Sequence, residues 1–86
     1  MSPEVVRVEE YGIVEFMRPI KMDEGCKLLR NLSPYKRKVV KLVIGYTNGV
    51  LHSYQDAALV LENNPKNINN LCVNALSELQ KTRGQR

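Results

Sequence analysis

The stretch ENNPKNINNL, residues 62 to 71, carries five asparagines and one lysine. A carboxamide holds a donor and an acceptor side by side, the pair that meets adenine N6 and N7, and a lysine ammonium donates to guanine O6 and N7. Lys66, Asn67, Asn69 and Asn70 are therefore equipped to read base edges. Asparagine is also tolerated on a solvated helix face, despite its middling helix propensity. A second group, Arg37, Lys38 and Lys41, follows Lys36 in YKRKVVK with no acid among them. Such a row suits phosphate oxygens, or only solvent.

Other chemistries find little support. Cys26 and Cys72 lie far apart with no CxxC or Cys/His spacing, which favours two buried thiols over a metal site or disulfide. His52 is the only histidine and has no neighbouring partner for metal binding or base catalysis. No nucleophile, acid and base converge, and no phosphate loop occurs, so the expectation is a protein that is not an enzyme and uses no cofactor or metal. The formal charge of +4 and pI near 9.3 favour an anionic partner. At 86 residues the chain suits one domain whose core is too small to hide a deep cleft. The sequence begins MSPEVVRVEE without the apolar run of a signal peptide, and no window approaches the roughly 18 apolar residues of a membrane span. A cytoplasmic protein with no membrane partner is expected.

The elements that must position these residues are marked by punctuation. Residues 4 to 20 carry Val6, Val8, Ile13, Val14, Phe16 and Met17 around Tyr11-Gly12, which predicts two short strands and a turn. From Asp23, a candidate N-cap, Leu28, Leu29 and Leu32 form the stripe of a first helix. Ser33-Pro34 opens a second, with Tyr35, Val39, Leu42, Val43 and Tyr46 on one face and Gly45 as its stop. Ser53-Tyr54-Gln55-Asp56 has the form of a capped third helix, with Tyr54, Ala57, Ala58 and Leu61 inward. Asn64-Pro65 starts the last, whose buried stripe is Ile68, Leu71, Cys72, Ala75 and Leu79. Lys66, Asn67, Asn69 and Asn70 then project from its first turns, away from that stripe.

Two helices joined by a short turn, the second presenting polar side chains from its N-terminal end, form a helix-turn-helix. The small Ala57 and Ala58 allow a close crossing, and Leu61, Ile68 and Leu71 supply the wedge. The predicted class is mainly α: a helix-turn-helix bundle of four helices with a short N-terminal β or irregular extension. Residues 1–21 form the extension, 22–81 the bundle and 82–86 a basic tail.

The spacing from Leu32 onward resembles region 4 of the sigma-70 family of bacterial transcription initiation factors. A Leu-x-Pro-x-x-Arg-x-Val-x-x-Leu-x-x-Gly opening is met by Leu32, Pro34, Arg37, Val39, Leu42 and Gly45, and a closing Ala-Leu-x-x-Leu by Ala75, Leu76 and Leu79. The length of the loop YTNGVLHS favours a primary-type sigma factor over response-regulator helix-turn-helix domains. The resemblance implies docking on the β-subunit flap of bacterial-type RNA polymerase and contact with promoter DNA. Lys66, Asn67, Asn69 and Asn70 would face the groove, with Arg37, Lys38 and Lys41 near phosphates.

The departures are specific. The family's Arg-Glu-Arg-x-Arg helix start aligns with Pro65, Lys66, Asn67, Ile68 and Asn69, so three arginines are missing. The family glutamate in the second helix is Lys36 here. The usual glycine of the turn is replaced by Glu62-Asn63, which predicts that Asn63 takes the left-handed conformation one residue late. No segment resembles the sigma region that melts the minus-10 element, which leaves open a piece that works with a separate sigma-like subunit as a further partner, or a viral or accessory protein that borrows the polymerase docking site. The missing arginines leave open a polymerase-binding co-activator or inhibitor that mimics region 4 without reading sequence, using exposed apolar residues such as Val40 and Val73.

Overall fold

The structure, a computed structural model, describes residues 7–84. A 3-10 turn at Val8–Glu10 precedes five α-helices: α1 Gly12–Met17, α2 Met22–Leu29, α3 Pro34–Val43, α4 Tyr54–Leu61 and α5 Pro65–Gly84. No strand occurs among the described residues. The mainly α class holds, with one helix more than the four expected.

That extra helix replaces the predicted hairpin, as far as the hairpin falls within the described residues. Ile13, Val14 and Met17 are all buried. Their i, i+1, i+4 spacing puts them on one side of a helix, whereas a strand would send Ile13 and Val14 to opposite faces. β-branched content is a weak signal beside that packing. The helix lies hard against α5: a Cβ on Gly12 would stand 2.9 Å from Leu76 Cδ2. The expected basic tail is also helical through Gly84, with the Arg83 guanidinium 6.0 Å from the Phe16 ring centroid.

Helix α5 is the hub, because α1, α2, α3 and α4 all pack against it. Its predicted stripe is confirmed: Ile68, Cys72, Ala75 and Leu79 are buried, and Leu71 packs at the margin. Ala57 and Ala58 of α4 are buried as the close crossing requires, and Leu61 joins them at the edge of the core. Leu29 and Leu32 are buried with Leu28 beside them, and α3 contributes Val39, Val40, Leu42 and Val43. Val40 is thus a core residue and not part of an external apolar surface. Tyr35, expected inward, is instead exposed. Burial pushes the Cys72 thiol up to about 12, so this sulfur stays protonated and inert at neutral pH.

The helix ends follow local chemistry. Helix α2 begins after Lys21, so Asp23 sits inside its first turn, beside the N-terminal dipole, and is not the cap. Ser33 precedes Pro34 at the start of α3 but makes no capping hydrogen bond. Gly45, at φ +85°, ends α3 in a Schellman motif in which the Tyr46 N–H donates to Lys41 O at 2.9 Å. The Ser53 Oγ accepts from the Asp56 N–H at 3.1 Å and caps α4. The loop between α3 and α4 is tied down by His52, whose Nδ1 lies 3.0 Å from Leu42 O and 2.9 Å from Val50 O. With two carbonyls as neighbours, that nitrogen must carry the proton.

The turn between α4 and α5 corrects the sequence expectation. Glu62, not Asn63, takes the left-handed conformation, with φ 54° and ψ 49°. The Asn63 N–H then reaches back to Ala58 O at 2.8 Å and closes a second Schellman-type end. This backbone bond ends α4 at Glu62, and it overrides the side-chain preference. A left-handed non-glycine residue costs about 1–2 kcal/mol, so Glu62→Gly is expected to raise stability by about 1 kcal/mol after glycine's greater unfolded-state entropy is set against it. A urea midpoint that fell in this variant would show that the Glu62 side chain has a role beyond the turn.

Candidate nucleic-acid interface

The asparagine stretch divides into two sets. Asn64 is the cap of α5: its Oδ1 accepts from the Asn67 N–H at 2.8 Å. Asn63 is the centre of a small network, donating through Nδ2 to the Tyr35 hydroxyl at 2.8 Å and accepting from Asn67 Nδ2 at 3.1 Å. Its Oδ1 also accepts from the Asn64 N–H at 2.8 Å. The exposure of Tyr35 is thereby explained, since its hydroxyl braces the turn. Asn67 is drawn back toward that turn and has one amide hydrogen already engaged.

Lys66, Asn69 and Asn70 form the uncommitted set. All three are exposed, and none is bonded to another side chain among the described residues. Lys66 and Asn69 share one wall of an open trough of about 1240 Å³ with Val73, which is 56% exposed. The N-terminus of α4 contributes Gln55, and a further part of the wall is the 3-10 turn with Glu9 and Glu10. That wall is held in place by several contacts. Arg18 Nη2 donates to Glu9 O at 2.7 Å, and the Tyr54 N–H donates to the Tyr11 hydroxyl at 3.3 Å. The Tyr11 and Tyr54 rings stack with centroids 3.9 Å apart and planes 7° from parallel. Burial, then the neighbouring Cys72 and Tyr11, hold the Tyr54 phenol above its ordinary value, so it remains a neutral stacking partner.

The basic row on α3 lies elsewhere. Arg37, Lys38 and Lys41 line a shallow hollow with Pro34 and Thr47, and no residue lines both this hollow and the trough. Lys36 leaves the row: its ammonium bonds the Glu78 carboxylate of α5 across 42 residues of sequence, the only ion pair among the described residues. Lys36 is therefore matched by an acid on a neighbouring helix. Three cations without an acid partner remain on α3 and one on the first turn of α5.

The seven residues singled out in the sequence thus sit on two helices and line no common hollow. Lys66, Asn69 and Asn70 project from α5, Asn67 belongs partly to the turn, and Arg37, Lys38 and Lys41 gather on α3. The apolar exposure on α4 was missed: Leu59 is 79% and Val60 60% exposed. Read in the third-helix frame, both fall off the inward Tyr54, Ala57, Ala58, Leu61 face, which is the signal that would have placed them. Among the described residues no helix is long and apolar enough to cross a membrane.

These features define a small all-helical bundle that contains a helix, a three-residue turn and a second helix. No family model matches the chain, and neither a curated protein nor a solved structure does so.

Proposed function

We propose that this chain is a transcription factor of the sigma region 4 kind, which binds the β flap of bacterial-type RNA polymerase and contacts promoter DNA through α4 and α5. One observation carries the DNA part: the second helix of a tightly turned pair presents Lys66, Asn69 and Asn70 to solvent with their donors and acceptors unspent. The resemblance in spacing from Leu32 to Leu79 supports the polymerase part. Phosphate contact by Arg37, Lys38 and Lys41 would add affinity without adding sequence information.

The test is a pull-down of core RNA polymerase together with a salt-titrated DNA shift on the protein and on the complex. With Lys66 and the three α3 cations at phosphates or bases, affinity for DNA should fall on the order of 100-fold between about 0.1 and 0.4 M salt. Lys66→Ala should reduce the logarithmic salt slope by about one if that ammonium meets a phosphate. Asn69→Ala and Asn70→Ala should flatten sequence preference with little change in slope. Affinity that hardly changes with salt removes the DNA part, and failure to retain polymerase removes the sigma-like part.

A second reading has its own support. The α5 start lacks the three arginines of the family pattern, and α4 exposes Leu59 and Val60. Both favour a region 4 mimic that holds polymerase by protein contact alone. Under that reading the two asparagine variants retain full activity, while Leu59→Asp abolishes polymerase binding.

A further inference from the structure

The trough gathers more kinds of recognition group than a DNA-reading helix needs. Two aromatic rings, Tyr11 and Tyr54, line it together with the carboxylates of Glu9 and Glu10, the ammonium of Lys66 and the carboxamide of Asn69. Among the described residues, the last four of these side chains make no hydrogen bond or ion pair within the protein. At about 1240 Å³ the trough has room for a small molecule, since such sites run to roughly 300–1,000 Å³.

The groups match one class of ligand. Aromatic side chains are platforms for a flat base, and the Tyr11 and Tyr54 rings are already parallel to within 7°. A carboxylate only accepts hydrogen bonds. Guanine is the base whose Watson–Crick edge sets two donors, N1–H and N2–H, side by side, one for each carboxylate oxygen. Adenine sets a donor beside an acceptor there, and the acceptor meets a lone pair. Charge limits the size of the ligand. Arg7 and Lys66 are balanced by Glu9 and Glu10, so the lining carries no net charge. A row of strand phosphates finds no positive channel there, whereas a single 5′-phosphate needs only one ammonium.

We propose that the trough is a binding site for a guanine mononucleotide, with the base on the tyrosine pair, N1–H and N2–H on a carboxylate of Glu9 or Glu10, and the phosphate on Lys66. The backbone beside the carboxylates is held by Arg18 Nη2, which donates to Glu9 O at 2.7 Å, and the Tyr11 hydroxyl accepts from the Tyr54 N–H at 3.3 Å. This inference goes beyond the DNA-reading proposal and needs neither DNA nor polymerase.

The test titrates the full chain with GMP, AMP, guanosine and ribose 5-phosphate, followed by calorimetry and backbone amide chemical shifts. GMP should bind saturably with a Kd below about 1 mM. The shifts should centre on Tyr11, Gln55, Lys66 and Asn69. AMP should bind about tenfold more weakly, and ribose 5-phosphate should not saturate. Glu9→Gln/Glu10→Gln should erase the roughly tenfold preference for GMP over AMP, because charge-assisted hydrogen bonds are the stronger kind. The ratio is the readout, since losing two acids strengthens phosphate attraction equally for both nucleotides. Lys66→Ala should weaken GMP about fivefold and leave guanosine unchanged. All three substituted residues are exposed, so the fold should be retained, as circular dichroism will check. The site is overturned by an absence of saturable GMP binding, by shifts confined to Lys38 and Thr47 on the α3 side, or by equal GMP and AMP affinities in the native chain. A GMP preference that survives the loss of both carboxylates overturns it as well. None of these outcomes bears on the duplex and polymerase measurements above, so the two proposals fail separately.

Discussion

Ile68→Ala is expected to cost about 3 kcal/mol, within the range of about 2–5 for truncating a buried isoleucine. Ile68 is the fourth residue of α5 and is fully buried, in the helix against which the other four pack. Removing three carbons there leaves a void that several helices would have to close together, which a close-packed interior resists. Since small domains are stable by about 5–15 kcal/mol, the loss should appear as a large fall in urea midpoint with an unchanged slope. Asn69→Ala, one residue along on the exposed face, should shift stability by no more than about 0.5 kcal/mol. Similar shifts in the two variants would mean that α5 is rotated from the orientation described.

Gly25→Ala is expected to cost about 1–3 kcal/mol, and Tyr46→Phe to return part of it. Gly25 is buried in α2, where alanine would ordinarily be the better helix former. Here a Cβ would run into the Tyr46 hydroxyl and stand 3.0 Å from both Tyr46 Cζ and Met17 Cε. The hydroxyl oxygen is itself buried without a hydrogen-bond partner among the described residues. Burial, with smaller contributions from Cys26 and Asp23, raises the Tyr46 pKa and keeps the phenol neutral. An unsatisfied buried hydroxyl costs about 1–3 kcal/mol, so Tyr46→Phe alone should be neutral or stabilising. In the double variant the oxygen is gone but the ring carbon remains close, so recovery should be partial. Additive effects in this double-mutant cycle would show that the two residues do not touch.

Much of the bundle was legible because its boundaries are written in punctuating residues. Pro34 and Pro65 fix first helical positions, Ser53 and Asn64 supply capping oxygens, and Gly45 permits a left-handed stop. The N-terminal region carried no such marks. Val8, Ile13, Val14 and Phe16 favour strands by propensity, and only contact with α5 makes their helical spacing decisive. The turn residue was misplaced for a related reason. Side-chain preference pointed to Asn63, whereas the backbone bond from Asn63 N–H to Ala58 O fixes the left-handed residue as Glu62.

The candidate site was legible in composition and only partly in arrangement. Periodicity placed Lys66, Asn69 and Asn70 outward, as the structure has them. It gave no sign that Asn67 would be drawn toward Asn63, because that pairing depends on the turn geometry and on Tyr35 from a distant helix. Nor did it pair Lys36 with Glu78, or bring Glu9 and Glu10 to the trough that Lys66 also lines. Both bring together segments more than forty residues apart in the chain and follow from tertiary packing alone.

The central place of α5 also bears on how the protein is made. Four helices share it as their packing partner, yet it comes after all of them in the chain. On a ribosome adding about 5–20 residues per second, α1 to α4 emerge before the surface that buries them exists. The nascent chain must therefore hold Leu29, Val39, Val43 and Ala57 without their shared partner, open to chaperones, until α5 is released and the core closes in one late step.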